Sequence, residues 1–224
     1  MKKALFICAI SFIIISLMGC SQDQQEVTDL EADSKIYLLT KEELDKNAEI
    51  IEDTKKDINQ LPKEDKETVL NRGFKEGYEQ LFSILSEDEK DIFSLGISIS
   101  RYSVSGVKDV FREQENQALA FEGQVKNGFK LKNLPSPNIG DSSFAYVLVK
   151  QDRVQLSQQE IEDIFGESYI NTLSEEELMD LFKEKLYTIG FTKNNIWVEV
   201  TTMKYSYGIE DSVRYAKIIE KKIR

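Results

Sequence analysis

The chain has 224 residues, with 40 acidic against 29 basic side chains, no histidine and a formal net charge of −11. That balance argues against nucleic acid and against adhesion to anionic lipid, both of which reward Lys and Arg. The missing histidine removes Ser-His-Asp and Cys-His catalysis and the usual zinc ligand sets.

The chain opens with Lys2 and Lys3, continues through the apolar run Ala4 to Met18, interrupted only by two serines, and turns polar after Gly19-Cys20. A charged n-region followed by an apolar h-region is an export signal. The run is short of the roughly 20 apolar residues that a spanning helix needs. Leu17-Met18-Gly19-Cys20 resembles the lipobox of bacterial lipoproteins. The resemblance implies cleavage before Cys20, a diacylglyceryl group on its thiol with the acyl chains that give stable anchoring, and a place on the extracytoplasmic face of the cell membrane. An ordinary signal peptide and an uncleaved anchor are the alternatives, since both use a similar run. Cys8 is removed with the signal, so the mature chain has no thiol left to pair. Every acidic residue lies after Cys20, leaving 27 basic against 40 acidic side chains, a net −13.

Four segments are expected: a signal peptide over 1–19, the lipidated Cys20 with a flexible tether over 20–35, a helical region over 36–90 and an α+β domain over 91–224. Ser21 to Lys35 has little to bury and at full extension spans at most roughly 50 Å. Thr40-Lys41-Glu42-Glu43 reads as a capping box, with Leu44, Ala48, Ile51 and Ile58 following at near-helical spacing. Pro62 breaks that helix and opens a second, carrying Val69, Leu70, Phe74, Tyr78, Leu81, Phe82 and Leu85. The pair is expected to form a helical hairpin. Gly73 and Gly77 within it read as points of close packing.

Phe93, Leu95, Ile97 and Ile99 alternate with Ser94, Gly96, Ser98 and Ser100, the pattern of a half-buried strand. Val107, Phe111, Gln114, Ala118, Phe121 and Val125 step by four and three, which predicts a helix ended by Gly128 with Ser105 as its N-cap. Reading Asn127-Gly128 as a hairpin turn instead pairs Lys126 with Phe129 and Val125 with Lys130, mixing polar with apolar on both faces, so the helix is preferred. Phe129 to Leu134 is a short strand, Pro135 to Asp141 a turn, and Ser143 to Lys150 an inner strand apolar on nearly every residue. Gln151 to Lys185 holds capped helices in an excursion from the sheet. Leu186 to Met203 is a hairpin turned at Asn194-Asn195, with Phe191 facing Val198, Ile189 facing Val200 and Tyr187 facing Thr202. On its other face Trp197 lies over the bare backbone of Gly190 as a packing device. A last helix carries Ile209, Val213, Ala216, Ile219 and Ile223, with Lys221, Lys222 and Arg224 at the end where the dipole favours cations.

The expected fold is α+β: an antiparallel sheet with helices packed on one face, preceded by the N-terminal helical hairpin. The run Leu134-Pro135, Gly140-Asp141-Ser142, Tyr146, the hairpin around Lys193-Asn194-Asn195 and the terminal helix resembles PsbP-like domains of bacterial lipoproteins. The resemblance covers Ile92 to the end, apart from the excursion, and implies a domain without catalytic residues.

Catalytic motifs fail on their chemistry. Gly140-Asp141-Ser142 matches the nucleophile block of GDSL hydrolases, which need a histidine base, and is read as a turn. Ser105-Gly106-Val107-Lys108 matches S-x-x-K, but no K-T-G element accompanies it. A glycosidase carboxylate pair is defined by spatial separation and cannot be chosen among so many acids. Glu87-Asp88-Glu89 and Glu175-Glu176-Glu177 lack a D-x-D-x-D-G loop and suit helix first turns. No catalytic residue, metal ligand or cofactor is assigned. The expected function is a non-enzymatic interaction module of the cell envelope, bound to another envelope protein, with a small-ligand or cation-binding lipoprotein as the alternative. An exposed apolar patch would favour the first, a concave pocket with convergent polar groups the second.

Overall fold

The computed structural model describes residue 30 and residues 33–45, 47–85, 92–151, 183–204 and 208–224. The lipobox, Cys20, both acidic runs and most of the Gln151 to Lys185 excursion lie outside these residues. The elements are β1 (Ala48–Lys55), α1 (Lys63–Asn71), β2 (Glu76–Leu85), β3 (Ile92–Arg101), α2 (Val104–Ala120), β4 (Val125–Lys126), β5 (Phe129–Leu134), β6 (Ser142–Lys150), β7 (Lys185–Lys193), β8 (Ile196–Lys204) and α3 (Glu210–Lys222). All eight strands form one antiparallel sheet in the order β1-β2-β3-β8-β7-β6-β5-β4. The chain is thus two meanders. The first is β1 to β3; α2 then carries the chain to the far edge, and the second meander returns from β4 to β8 and lies against β3.

The β7–β8 hairpin has the expected register, with Phe191 opposite Val198, Ile189 opposite Val200 and Tyr187 opposite Thr202. Asn194 supplies the positive φ the turn needs, and its backbone N–H donates to the Asp141 carboxylate at 2.6 Å. Gly140-Asp141-Ser142 is therefore a turn that braces another turn. A Cβ on Gly190 would stand 2.5 Å from the Trp197 ring and 2.7 Å from Phe144, so Trp197 does lie over bare backbone.

Phe93, Leu95, Ile97 and Ile99 of β3 are buried on one face, here called face A, with Ile189, Phe191, Val198 and Val200. α3 packs there through Tyr215, Ala216 and Ile219. The opposite face, B, holds a second cluster of Tyr102, Val107, Val110, Ala118, Phe144 and Trp197, to which α2 contributes. Helices therefore lie on both faces, where one was expected. The reason is parity: Trp197 and Val198 are neighbours on one strand and point to opposite faces.

Three further expectations are corrected. No helical hairpin occupies 36–90. The capping box does form, Thr40 N–H donating to Glu43 at 2.8 Å, but it closes only a single 3₁₀ turn, Lys41–Glu43, before β1. α1 ends at Asn71, where Gly73 turns the chain with φ +67°, and Tyr78, Gln80, Phe82 and Ile84 alternate along β2 toward face A. Second, α2 stops at Ala120 and Asn127-Gly128 turns the β4–β5 hairpin in the register judged unfavourable, Val125 opposite Lys130 and Lys126 opposite Phe129. At this sheet edge Val125 is 60% exposed, so mixing polar and apolar side chains carries no penalty, and both turn residues have the positive φ of the favoured two-residue turn. The cap of α2 is Ser103, whose Oγ accepts from Gly106 N–H at 3.1 Å, and not Ser105.

Third, the expected tether of residues 20–35 is packed from Leu30 onward where it is described. Leu30, Ser34, Tyr37, Leu38 and Leu39 join the face A core as a strap over β2 and β3. Buried side-chain amides replace strand pairing: Leu39 N–H donates to Gln80 Oε1 at 3.1 Å and Gln80 Nε2 returns a bond to the Leu39 carbonyl at 3.3 Å. At the strap's end the Asp45 carboxylate takes both arms of the Arg214 guanidinium at 2.7 Å and the Tyr215 hydroxyl at 2.9 Å.

The Arg214 bonds, above all, hold the Asp45 carboxyl below the usual aspartate range. A lowered carboxylate pKa contributes stability that is present above the unfolded-state value and is lost as pH falls through the folded one. Asp45→Asn is expected to cost on the order of 1–2 kcal/mol at neutral pH, allowing for the partial exposure of Arg214. Thermal melts should show the difference from wild type shrinking on acidification and vanishing once Asp45 itself is protonated.

Candidate functional site

Face B is only partly covered among the described residues. α2 lies over β5 to β8, and beside it the strand residues that point to face B from β1, β2, β3 and β8 line a recess of about 200 Å³. Two cross-strand rows build it. One runs Glu52, Leu81, Gly96, Thr201; the other runs Glu79, Ser98, Glu199. These residues come from four strands and only antiparallel register brings them together.

Gly96 is the floor. A Cβ there would meet nothing nearer than the Thr201 carbonyl, at an ordinary contact distance of 3.9 Å, so the position has room for a side chain's first carbon. At the rim, Lys56 runs its stem across Gly77, where a side chain would collide with it, and places its ammonium 2.7 Å from Ser98 Oγ and 3.3 Å from Glu79. At the opposite rim, Thr201 Oγ1 lies 3.1 Å from Thr188 Oγ1, and Thr188 is also bonded to the Tyr146 hydroxyl.

Glu199 is the unusual group. It is half-buried, in the same row as Gly190 and Phe144, and its carboxyl makes no hydrogen bond among the described residues. Desolvation pushes that carboxyl above the usual glutamate range, with Lys56 pulling it down and Glu79 pushing it further up. Burial likewise raises the Tyr146 hydroxyl, and the Glu199 charge adds to the shift. Three carboxylates thus face a space in which Lys56 supplies the nearest cation.

Ser98 and Lys56 form a close pair, but a serine nucleophile needs a neutral lysine and an oxyanion hole. The Lys56 ammonium is ion-paired to Glu79, and Ser98 sits mid-strand between two paired neighbours that take up the surrounding backbone N–H groups. The S-x-x-K of Ser105 and Lys108 is in the first turn of α2, away from the recess lining. Among the described residues no group of three His, Cys, Asp or Glu is spaced to hold a metal ion.

Sequence patterning did place Gly96, Ser98, Glu199 and Thr201 on outward faces. It missed Lys56, Glu52 and Glu79 as their companions, because β1 and β2 were read as helices and the β3–β8 pairing joins residues about a hundred positions apart.

No protein-family model matches the chain, and no curated protein matches it in sequence. Among solved structures the fold is similar to the extracellular domain of PknH from Mycobacterium tuberculosis, with a TM-score of 0.51, 10% identity, and coverage of 87% of this chain and 98% of that one. An uncharacterised protein from Mycobacterium smegmatis aligns with a TM-score of 0.43 and 12% identity over 88% of this chain and 99% of its own. No helix among the described residues is long and apolar enough to cross a membrane.

Because the Glu199 carboxyl is raised, its ionised form costs the folded state stability at pH values above the folded pKa, and the cost disappears below the unfolded one. Glu199→Gln should therefore raise Tm at pH 7 by on the order of 2–4 °C. The gain should shrink as pH falls through the raised pKa. A lower Tm at pH 7 would show that Glu199 has a partner that compensates its charge.

Proposed function

We propose that this chain is an extracytoplasmic module, held to the cell membrane by lipid on Cys20, that binds and does not catalyse, and that the face B recess is its binding site. The observation that carries the reading is the recess itself: a concave space with a bare glycine floor and convergent polar groups, among them a desolvated carboxyl with no hydrogen bond among the described residues. By the criterion set from sequence, this places the small-ligand reading ahead of the protein-partner one. The lipobox supports the anchor, and the likeness to an extracellular domain supports the placement.

The ligand class follows from charge. Glu52, Glu79 and Glu199 outnumber Lys56, so the recess suits a small organic cation whose ammonium sits between Glu79 and Glu199 while its carbon skeleton lies on Leu81 and Gly96. Calorimetric titration with cadaverine, spermidine and glucosamine tests this directly. At least one is expected to bind at pH 7, with affinity falling as pH drops through the raised Glu199 pKa. Gly96→Val, whose Cβ would meet nothing nearer than the Thr201 carbonyl at 3.9 Å, should abolish binding and leave the melting temperature close to wild type. Absence of binding by all three cations would overturn the cationic class.

A second reading rests on a different feature. β1 is an edge strand paired on one side only, and it exposes Ile50 and Ile51 at 50% and 47% beside Glu49, Glu52 and Asp53. Unpaired edges accept strands from other chains. On this reading an envelope protein captured by the folded domain, and not by a heat-unfolded control, should be lost with Ile50→Lys plus Ile51→Lys. Its retention by that variant would remove β1 from consideration.

A further inference from the structure

We infer that the end of the sheet carrying the β7–β8 turn is the surface that faces the lipid bilayer. The inference rests on the lipid anchor at Cys20 proposed above, and it comes from where the structure takes hold of the N-terminal segment.

That hold is at Leu30. Its backbone N–H donates to Asn195 Oδ1 at 3.0 Å, and its carbonyl accepts from Asn195 Nδ2 at 3.2 Å and from Arg101 at 3.3 Å. Asn195 is fully buried and also donates to the Tyr102 carbonyl, so the amide is fixed by three backbone groups at once, two of Leu30 and one of Tyr102. Arg101 is in turn held by Glu76 at 3.2 Å, and Glu76 accepts from Ser34 N–H at 2.8 Å. Leu30 therefore cannot move away from this end without leaving a buried amide and a guanidinium short of partners, which costs far more than an exposed contact.

Ten residue steps lead from Cys20 to Leu30, and fully extended they reach at most about 35 Å. β2 and β3 alone extend about 30 Å from this end. The Asn195 end is thus held within about 35 Å of Cys20, whereas the end bearing the β4–β5 turn can lie about 30 Å further from the lipid. Ser98 is three positions along β3 from Arg101, about 10 Å, and its row opens on a sheet face and not on a sheet end. The recess consequently opens sideways, along the plane of the membrane, where solutes and neighbouring envelope proteins both reach it.

The mature chain offers a clean test, because its one cysteine is the lipidated one. Single cysteines introduced as Lys35→Cys and Lys75→Cys mark the near end, and Lys130→Cys, exposed on β5, marks the far end. Each lipidated variant carries a donor dye and is reconstituted in phosphatidylethanolamine–phosphatidylglycerol vesicles with a headgroup-labelled acceptor. Energy transfer is expected to be at least twofold stronger from positions 35 and 75 than from 130. A Gly/Ser insertion of about twenty residues between Gln25 and Glu26 should erase the difference. Equal or reversed transfer in the unextended protein overturns the orientation. Mass measurement of the N-terminal peptide separates the two readings: without a diacylglyceryl group on Cys20 the anchor itself fails, whereas a lipidated protein with the wrong ordering refutes the orientation alone.

Discussion

The pairing of β3 with β8 is the contact on which the rest of the structure depends. It joins two meanders that α2 connects along the chain, and it places Ile97 opposite Val200 and Ile99 opposite Val198. A slip of one residue would turn those side chains to face B and expose Ser98 and Glu199 to the core. Because the register holds, α3 finds a continuous apolar face on one side, and α2 finds the aromatic cluster of Phe144 and Trp197 on the other.

From that pairing follows an imbalance in coverage. Face A is closed by α3 and by the strap from Leu30 to Asp45, and the strap is held by side chains that imitate backbone: Gln80 for Leu39, Asn195 for Leu30, and Lys222, whose ammonium reaches the Leu38 carbonyl at 2.5 Å. Face B has α2 over one half only. The uncovered half carries residues with nothing above them among the described residues, and that is where Gly96, Ser98, Glu199 and Thr201 line the recess. Among the described residues the sheet is wider than the helix that covers this face, and carboxylates from β1, β2 and β8 give the recess its character.

The legibility of each element tracks how local its physics is. The β7–β8 hairpin could be read residue by residue, because a two-residue turn ties register to sequence spacing. β3 could be read because its alternation is strict over eight positions. β2 could not: Tyr78, Leu81, Phe82 and Leu85 satisfy a helical spacing as well as a strand, and Gly73, which stops α1, looks the same in either reading. The Asn127-Gly128 turn was misjudged because the argument from face mixing assumes a buried face, and β4 lies at an edge where neither face is buried.

Composition and motif alone determined that these 224 residues carry no histidine and an acidic balance, that the fold mixes helices with an antiparallel sheet, and that Gly190 and Trp197 share a face. Those conclusions depend on residue types or on spacings of a few positions. Only the tertiary structure decided that β1 and β2 belong to the sheet, that helices lie on both faces, and that Lys56, Glu79, Ser98 and Glu199 converge. Each of these depends on which strands pair across long separations, and the free energy that selects a pairing is spread over a whole buried face and not carried by any short stretch of chain.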